Sequence, residues 1–200
     1  MRDRDLVRLY WPIDLRPAFD ALFAIDDAMA DIVTSSTQPA LGAIRLAWWR
    51  EALERLDSNA PPPEPRLQAV ARELLPRYVS RTSLAGIPEG WASLLDEEPD
   101  PDLVAGRGFA IFAAAACLLC ATAPRLSEAG SLFAFADAKR RGFGTFEHSS
   151  WPMRFARPLR PLTALAALAA RDLRQDQIES EATPGRAYTL IRHRLTGRIP

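Results

Sequence analysis

The sequence predicts an all-α protein folded as a single helical domain over residues 1–200. Three observations carry this reading. Apolar residues recur at helical spacing in one segment after another, and prolines punctuate the segments. No run of β-branched residues alternates with polar ones, so strands are not expected. The 200 residues are 48% hydrophobic and 25% charged, enough apolar material for one core in a chain of this size.

The elements follow in order. Asp3 to Tyr10 reads as a short helix stopped by Pro12. Arg16 to Val33 reads as a second helix, with Pro17 in its first turn, where a missing N–H costs nothing. Thr34 to Ala40 is a loop, and Leu41 to Leu56 is a third helix. The proline-rich 57-DSNAPPPEP-65 is a stiff, exposed linker. Arg66 to Arg81 is a fourth helix, followed by a short helical turn near Trp91–Leu95 and the acidic boundary 96-DEEPDPD-102. Leu103 to Ala121 is the most apolar helix, and Ser127 to Lys139 the next. The stretch 140-RRGFGTFEHSSWP-152 has no period. Pro161 to Gln175 and Pro184 to Leu195 are the last two helices.

Composition limits the function classes. Lys+Arg and Asp+Glu balance at 25 each, so no global field points to a nucleic-acid partner. The charged N-terminus lacks the apolar core of a signal peptide, and the apolar run 109–123 is short of a membrane span. A cytoplasmic location is expected. Cys117 and Cys120 sit three apart on a helix with no second Cys or His pair, and read as reduced, buried thiols. His148 and His193 have no neighbours that suggest a triad or a metal.

The chemistry concentrates in 21-ALFAIDDAMADIVT-34. On a helical period, Phe19, Leu22, Phe23, Ile25, Met29, Ile32 and Val33 form one apolar arc. Asp20, Asp27 and Asp31 gather beyond its edge, and Asp27 and Asp31 are i, i+4 neighbours able to share a cation. Asp26 falls among the apolar residues, where a carboxylate needs a partner or a wet cavity. In the plain reading, Asp20, Asp27 and Asp31 are a solvated face and Asp26 pairs with an arginine. On the third helix, Arg45 and Arg50 flank Trp48 and Trp49. They either snorkel over packed rings or contact a diphosphate or lipid headgroup. The last helix sets Arg186, Arg192, Arg194 and Arg198 beside Leu190, Ile191 and Leu195, as a docked terminal helix or a membrane-surface helix would.

The segments 3-DRDLVRLYWPIDLRPAFDALFAIDDAMADIV-33 and 44-IRLAWWREALE-54 resemble the opening of the squalene/phytoene synthase family. That family has a helix of the form A-L-Y-A-F-x-R-x-x-D-D-x-x-D, then one containing L-x-x-W-x-x-x-L, matched here by Leu46, Trp49 and Leu53. The stretch 103–120 resembles a later, glycine-containing helix more loosely. The resemblance implies an isoprenoid (trans-prenyl) synthase-type bundle, here shortened. In the family's register, however, the first two metal-site aspartates fall on Ala30 and Asp31, the third on Thr34 and the arginine on Asp27. The second aspartate motif has no clear counterpart; 134-AFADAKRRGFG-144 offers Asp137 and a basic cluster.

Two readings of the resemblance stay open. In the first, the chain is similar to a divergent branch of the family, held to be non-catalytic and implicated in assembling respiratory complex I. It then lacks prenyl-coupling activity, needs no cofactor, and acts as a binding or assembly factor peripheral to the inner membrane, with a protein or membrane lipid as partner. In the second, it is an active prenyltransferase. Asp27 and Asp31, with Asp26, then hold Mg²⁺, while Arg45, Arg50, Phe23 and Trp49 bind the prenyl diphosphate. Ionising an allylic diphosphate needs cations held by two carboxylate clusters to neutralise the leaving group.

Overall fold

The computed structural model describes residues 2–56, 58–148 and 152–200. Asp57 of the expected linker and residues 149–151 of the expected loop lie outside them. The chain is a helical bundle: α1 (Asp3–Arg8), α2 (Arg16–Ser35), α3 (Pro39–Arg55), α4 (Pro65–Glu73), α5 (Arg81–Leu84), α6 (Gly86–Ser93), α7 (Pro101–Leu118), α8 (Leu126–Arg140), α9 (Arg160–Leu173) and α10 (Pro184–Thr196). The all-α class expected from the sequence is the class observed.

Local chemistry sets most boundaries. Proline occupies the first turn of α2, α3, α4, α7, α9 and α10. Asp100 caps α7 through the N–H of Asp102, Glu64 caps α4 through that of Arg66, and Thr183 caps α10 through that of Arg186. Gly197, at φ +70°, ends α10 in the left-handed conformation that a Cβ would disfavour.

Three expectations need correction. The fourth helix stops at Glu73 rather than Arg81, because Pro76 allows only a 3-10 turn over Leu75–Arg77 before the separate α5. The turn near Trp91 is instead a two-turn helix, α6, with Trp91 fully buried. A small sheet also exists. β1 (Met153–Arg154) pairs antiparallel with β2 (Arg198–Ile199), Met153 opposite Ile199, closing the C-terminus onto the chain before α9. Two residues per strand are too few to show an alternating pattern.

Helix α7 is the axis of the bundle, between α6 and α8, and α8 leans in turn on α9. It is 18 residues long and, by length and composition alone, apolar enough to cross a membrane, yet Val104, Arg107, Ile111 and Phe112 on it are buried against other helices. Its crossing with α8 depends on two glycines. A Cβ on Gly130 would stand 2.5 Å from the Gly108 carbonyl oxygen, and one on Gly108 would overlap the Gly130 carbonyl. Aromatic side chains fill the space between α2 and this pair. Trp11, Phe19, Phe23, Phe133 and Phe112 form a continuous chain of ring contacts, with centroids 4.6–6.1 Å apart.

Candidate functional site

Asp26 faces the interior, as its place in the apolar arc of α2 requires, and its partner is Arg107 of α7. Nε and Nη2 of Arg107 donate to Oδ1 and Oδ2 of Asp26, each at 2.8 Å, in a fork-to-fork pair. The indole N–H of Trp91 donates to Oδ1 at 2.7 Å. Arg107 is wholly buried and Asp26 is 2% exposed. The guanidinium also lies 3.8 Å from the centroid of Trp91, so the indole supports both the cation and the anion.

The pairing extends across the bundle. Nη2 of Arg107 donates to Oδ2 of Asp137 at 2.7 Å, and Nε of Arg141 donates to its Oδ1 at 3.0 Å. Asp27, one residue beyond Asp26, turns to the rim. It is gripped by Arg4 of α1, with Arg2 at 3.4 Å and Arg141 at 3.9 Å. Burial by itself would push the Asp26 carboxyl up. The charge and hydrogen bonds of Arg107, then the Trp91 N–H and the charge of Arg141, outweigh burial and hold it below the ordinary carboxylate range.

Glycine sets this geometry. A Cβ on Gly90 would stand 2.6 Å from the Leu103 carbonyl oxygen and overlap Arg107, so only glycine lets α6 come close enough to lay Trp91 over the guanidinium. Above the network lies a recess of about 120 Å³ lined by Arg4, Asp27, Asp137, Arg140 and Arg141 together with Asp172 and Arg186. That is well below the roughly 300–1,000 Å³ of ordinary small-molecule pockets.

A second buried ion cluster borders the same recess. Arg186 of α10 donates to Asp3 of α1 at 2.6 Å and also pairs with Asp172 of α9. Arg140 of α8 donates to Oδ2 of Asp172 at 2.8 Å, an oxygen it shares with Nη2 of Arg186 at 3.1 Å. The backbone N–H of Ala182 completes Asp3 at 2.9 Å. Four helices are thereby locked at one end of the bundle.

The residues of the two sequence readings are placed as follows. Asp26 is in the ion pair, Asp27 is under Arg4, Asp31 is exposed near the end of α2, and Asp20 is bound by Arg8 at 2.6 Å. Phe23 is buried below Arg4, whose guanidinium lies 4.9 Å from the ring centroid. Trp49 is buried in α3, while Arg45 is exposed and Arg50 bridges Glu54 and Glu89, both at 3.1 Å. Asp31, Arg45, Arg50 and Trp49 do not line the recess. Cys117 is half-buried and Cys120 is exposed, against the expectation of two buried thiols, because α7 ends at Leu118 and Cys120 follows it at φ +49°. His193 is buried, its ring nitrogens meeting Thr163 at 2.9 Å and the Arg198 carbonyl at 3.1 Å. Burial lowers its pKa.

Sequence reasoning missed Arg107, Trp91 and Asp137 as parts of one site. A signal existed for the first: Arg107 is the lone charge between Asp102 and Ala123, and an arginine in so apolar a helix needs a buried anion.

The isoprenoid synthase fold implies Mg²⁺, and these carboxylates do not fit it. Asp26 and Asp137 spend oxygens on Arg107, Asp27 faces three arginines, and Asp31 stands apart. Among the described residues, no group of three His, Cys, Asp or Glu is arranged to hold a metal. A divalent cation would have to displace guanidinium groups that occupy its place electrostatically.

The comparisons with known proteins agree with the helical frame. No curated protein and no solved structure matches the chain. The family model described as Squalene/phytoene synthase matches residues 2–127, which run from α1 through α7 and hold Asp26, Asp27, Trp91 and Arg107. The chain belongs to the squalene/phytoene synthase family.

Proposed function

We propose that this family member does not couple prenyl diphosphates and instead works as a binding or assembly factor at a membrane, with a protein or lipid as its partner. One observation carries the reading: of the carboxylates that a prenyltransferase would have to give to Mg²⁺ here, Asp26 is neutralised by Arg107 and Asp27 by Arg4, which leaves only the exposed Asp31, while Asp137 across the recess is also held by Arg107. Prenyl coupling needs those charges for the cations that draw off the diphosphate. The aromatic chain from Trp11 to Phe112 also fills the interior that a prenyl tail would enter.

The test is incubation of the protein with farnesyl and geranylgeranyl diphosphate and Mg²⁺, with pyrophosphate release as the readout. No release above the protein-free control is expected. Mg²⁺-dependent release that disappears in Asp31→Ala or Asp27→Ala would establish the prenyltransferase reading instead.

A further inference from the structure

Helix α10 has two faces. Arg186, Leu190 and His193 turn inward and are buried. Tyr188, Ile191 and Leu195 turn outward on successive turns and are 67%, 53% and 73% exposed. Leu195 and Arg194 adjoin Tyr10, the Arg194 guanidinium lying 4.5 Å from the Tyr10 centroid, and exposed Ile13 follows a few residues on from that ring. Large apolar side chains in water, one per turn, call for a covering surface.

Basic side chains predominate around this stripe. A groove on one side is lined by Arg157, Arg160 and Arg194, and a groove on the other by Arg171, Arg174, Arg192 and Arg198; no Asp or Glu side chain lines either, although Arg171 pairs with Glu179 and Arg174 with the Pro200 oxygen beside the second. Arg157, Arg192, Arg194 and Arg198 are exposed and make no ion pair among the described residues. Elsewhere on the surface, Arg8, Arg50, Arg55 and Arg125 each meet a carboxylate. The neutral chain is thus polarised: residues 152–200 hold nine arginines against four carboxylates.

We propose that the outer face of α10, with its two flanking arginine grooves, docks on an anionic phospholipid surface. It builds on the membrane-proximal reading above by giving the lipid partner a place on the protein. Tyr188, Ile191 and Leu195 enter the boundary between headgroups and acyl chains, while Arg157, Arg192, Arg194 and Arg198 lie level with the phosphates. A protein partner would need a matching acidic rim; a charged bilayer supplies phosphate at every position along a face of this kind. All but Tyr10 and Ile13 lie beyond residue 127, where the family match ends.

The test is flotation of the full chain with vesicles of phosphatidylcholine alone and of phosphatidylcholine with phosphatidylglycerol. Binding is expected to the anionic vesicles, weakened by high salt. Each basic residue at such a surface contributes about fivefold to partitioning, so Arg192→Glu/Arg194→Glu should lower binding by about twentyfold or more. Leu195→Glu should also lower it, and Arg72→Glu on α4 should not. Arg192→Gln and Arg194→Gln, with unchanged thermal midpoints, guard against a folding defect and should each give a partial loss. The proposal is overturned by no binding, by equal binding to neutral vesicles, by equal loss in Arg72→Glu, or by a dimer in sedimentation that Leu195→Glu dissociates. Pyrophosphate release is scored separately. Vesicle binding with release would overturn only the non-catalytic reading, and neither would overturn only this face.

Discussion

Arg107 and Asp26 join α7 to α2 through two 2.8 Å hydrogen bonds, 81 residues apart in sequence and both out of reach of water. A buried ion pair is weak evidence of net stabilisation, but breaking one side of it is costly. Arg107→Met strands the Asp26 carboxylate in an apolar interior and should cost about 3–5 kcal/mol. Asp26→Leu/Arg107→Met removes both charges and should recover more than half of that loss, the Trp91 N–H remaining unpaired. Urea denaturation of the three proteins measures both. A double variant no more stable than the single one would contradict the pairing.

Glycine predictions separate close contact from mere helix propensity. Gly130→Ala drives a methyl into the Gly108 backbone and should cost about 1–3 kcal/mol or more, since neither backbone can rotate aside. Gly106→Ala, on the same pair of helices, meets nothing within 4 Å and should gain about 0.5–1 kcal/mol from helix propensity. Thermal midpoints of the two variants should move in opposite directions.

The pH dependence of stability should carry the mark of His193. Its pKa is lowered in the folded protein by burial, so the unfolded chain binds the proton more readily. Folding stability is therefore highest above the ordinary value of 6.5 and falls as the pH drops through 6.5 toward the folded pKa. Asp26, also lowered, acts in the same direction at more acid pH: its stabilisation is full above 3.8 and is lost below it. His193→Gln should flatten the stability profile between about pH 7.5 and 5.5, read as thermal midpoint against pH, against an ordinary histidine pKa near 6.5. An unchanged slope would show that His193 does not titrate there.

Arg186 holds the C-terminal helix to the N-terminal one through Asp3 and Asp172. In Arg186→Met, Asp172 keeps Arg140 while Asp3 keeps only the Ala182 N–H. Hydrogen exchange of the α10 amides should then speed up about tenfold or more, corresponding to the roughly 1.4 kcal/mol that makes a factor of ten. The α7 amides should change little, because the Arg107 pair is separate.

The frame of this protein was legible because its signals are local. Prolines at helix starts and the apolar arc of α2 are written within one or two turns of sequence. Even the predicament of Asp26, a carboxylate among phenylalanines, could be read. The solution could not, since Arg107 and Trp91 come from remote helices brought together by Gly90 and by the Gly108–Gly130 crossing. The third helix shows the same division. Of the two rings read there as packed, Trp49 is buried but Trp48 is exposed, and nothing near Arg50 indicated Glu89 of α6 as its partner. The pairing of β1 with β2 was hidden because each strand is only two residues long.

Arginines hold Asp26 and Asp27, two of the three carboxylates on which Mg²⁺ binding by this chain would rest. This is tested most directly by calorimetric titration of farnesyl diphosphate into the protein with and without Mg²⁺. No Mg²⁺-dependent heat beyond the ligand's own is expected, in the wild-type protein or in Asp27→Asn. A saturable, Mg²⁺-dependent heat that Asp27→Asn abolishes would contradict this.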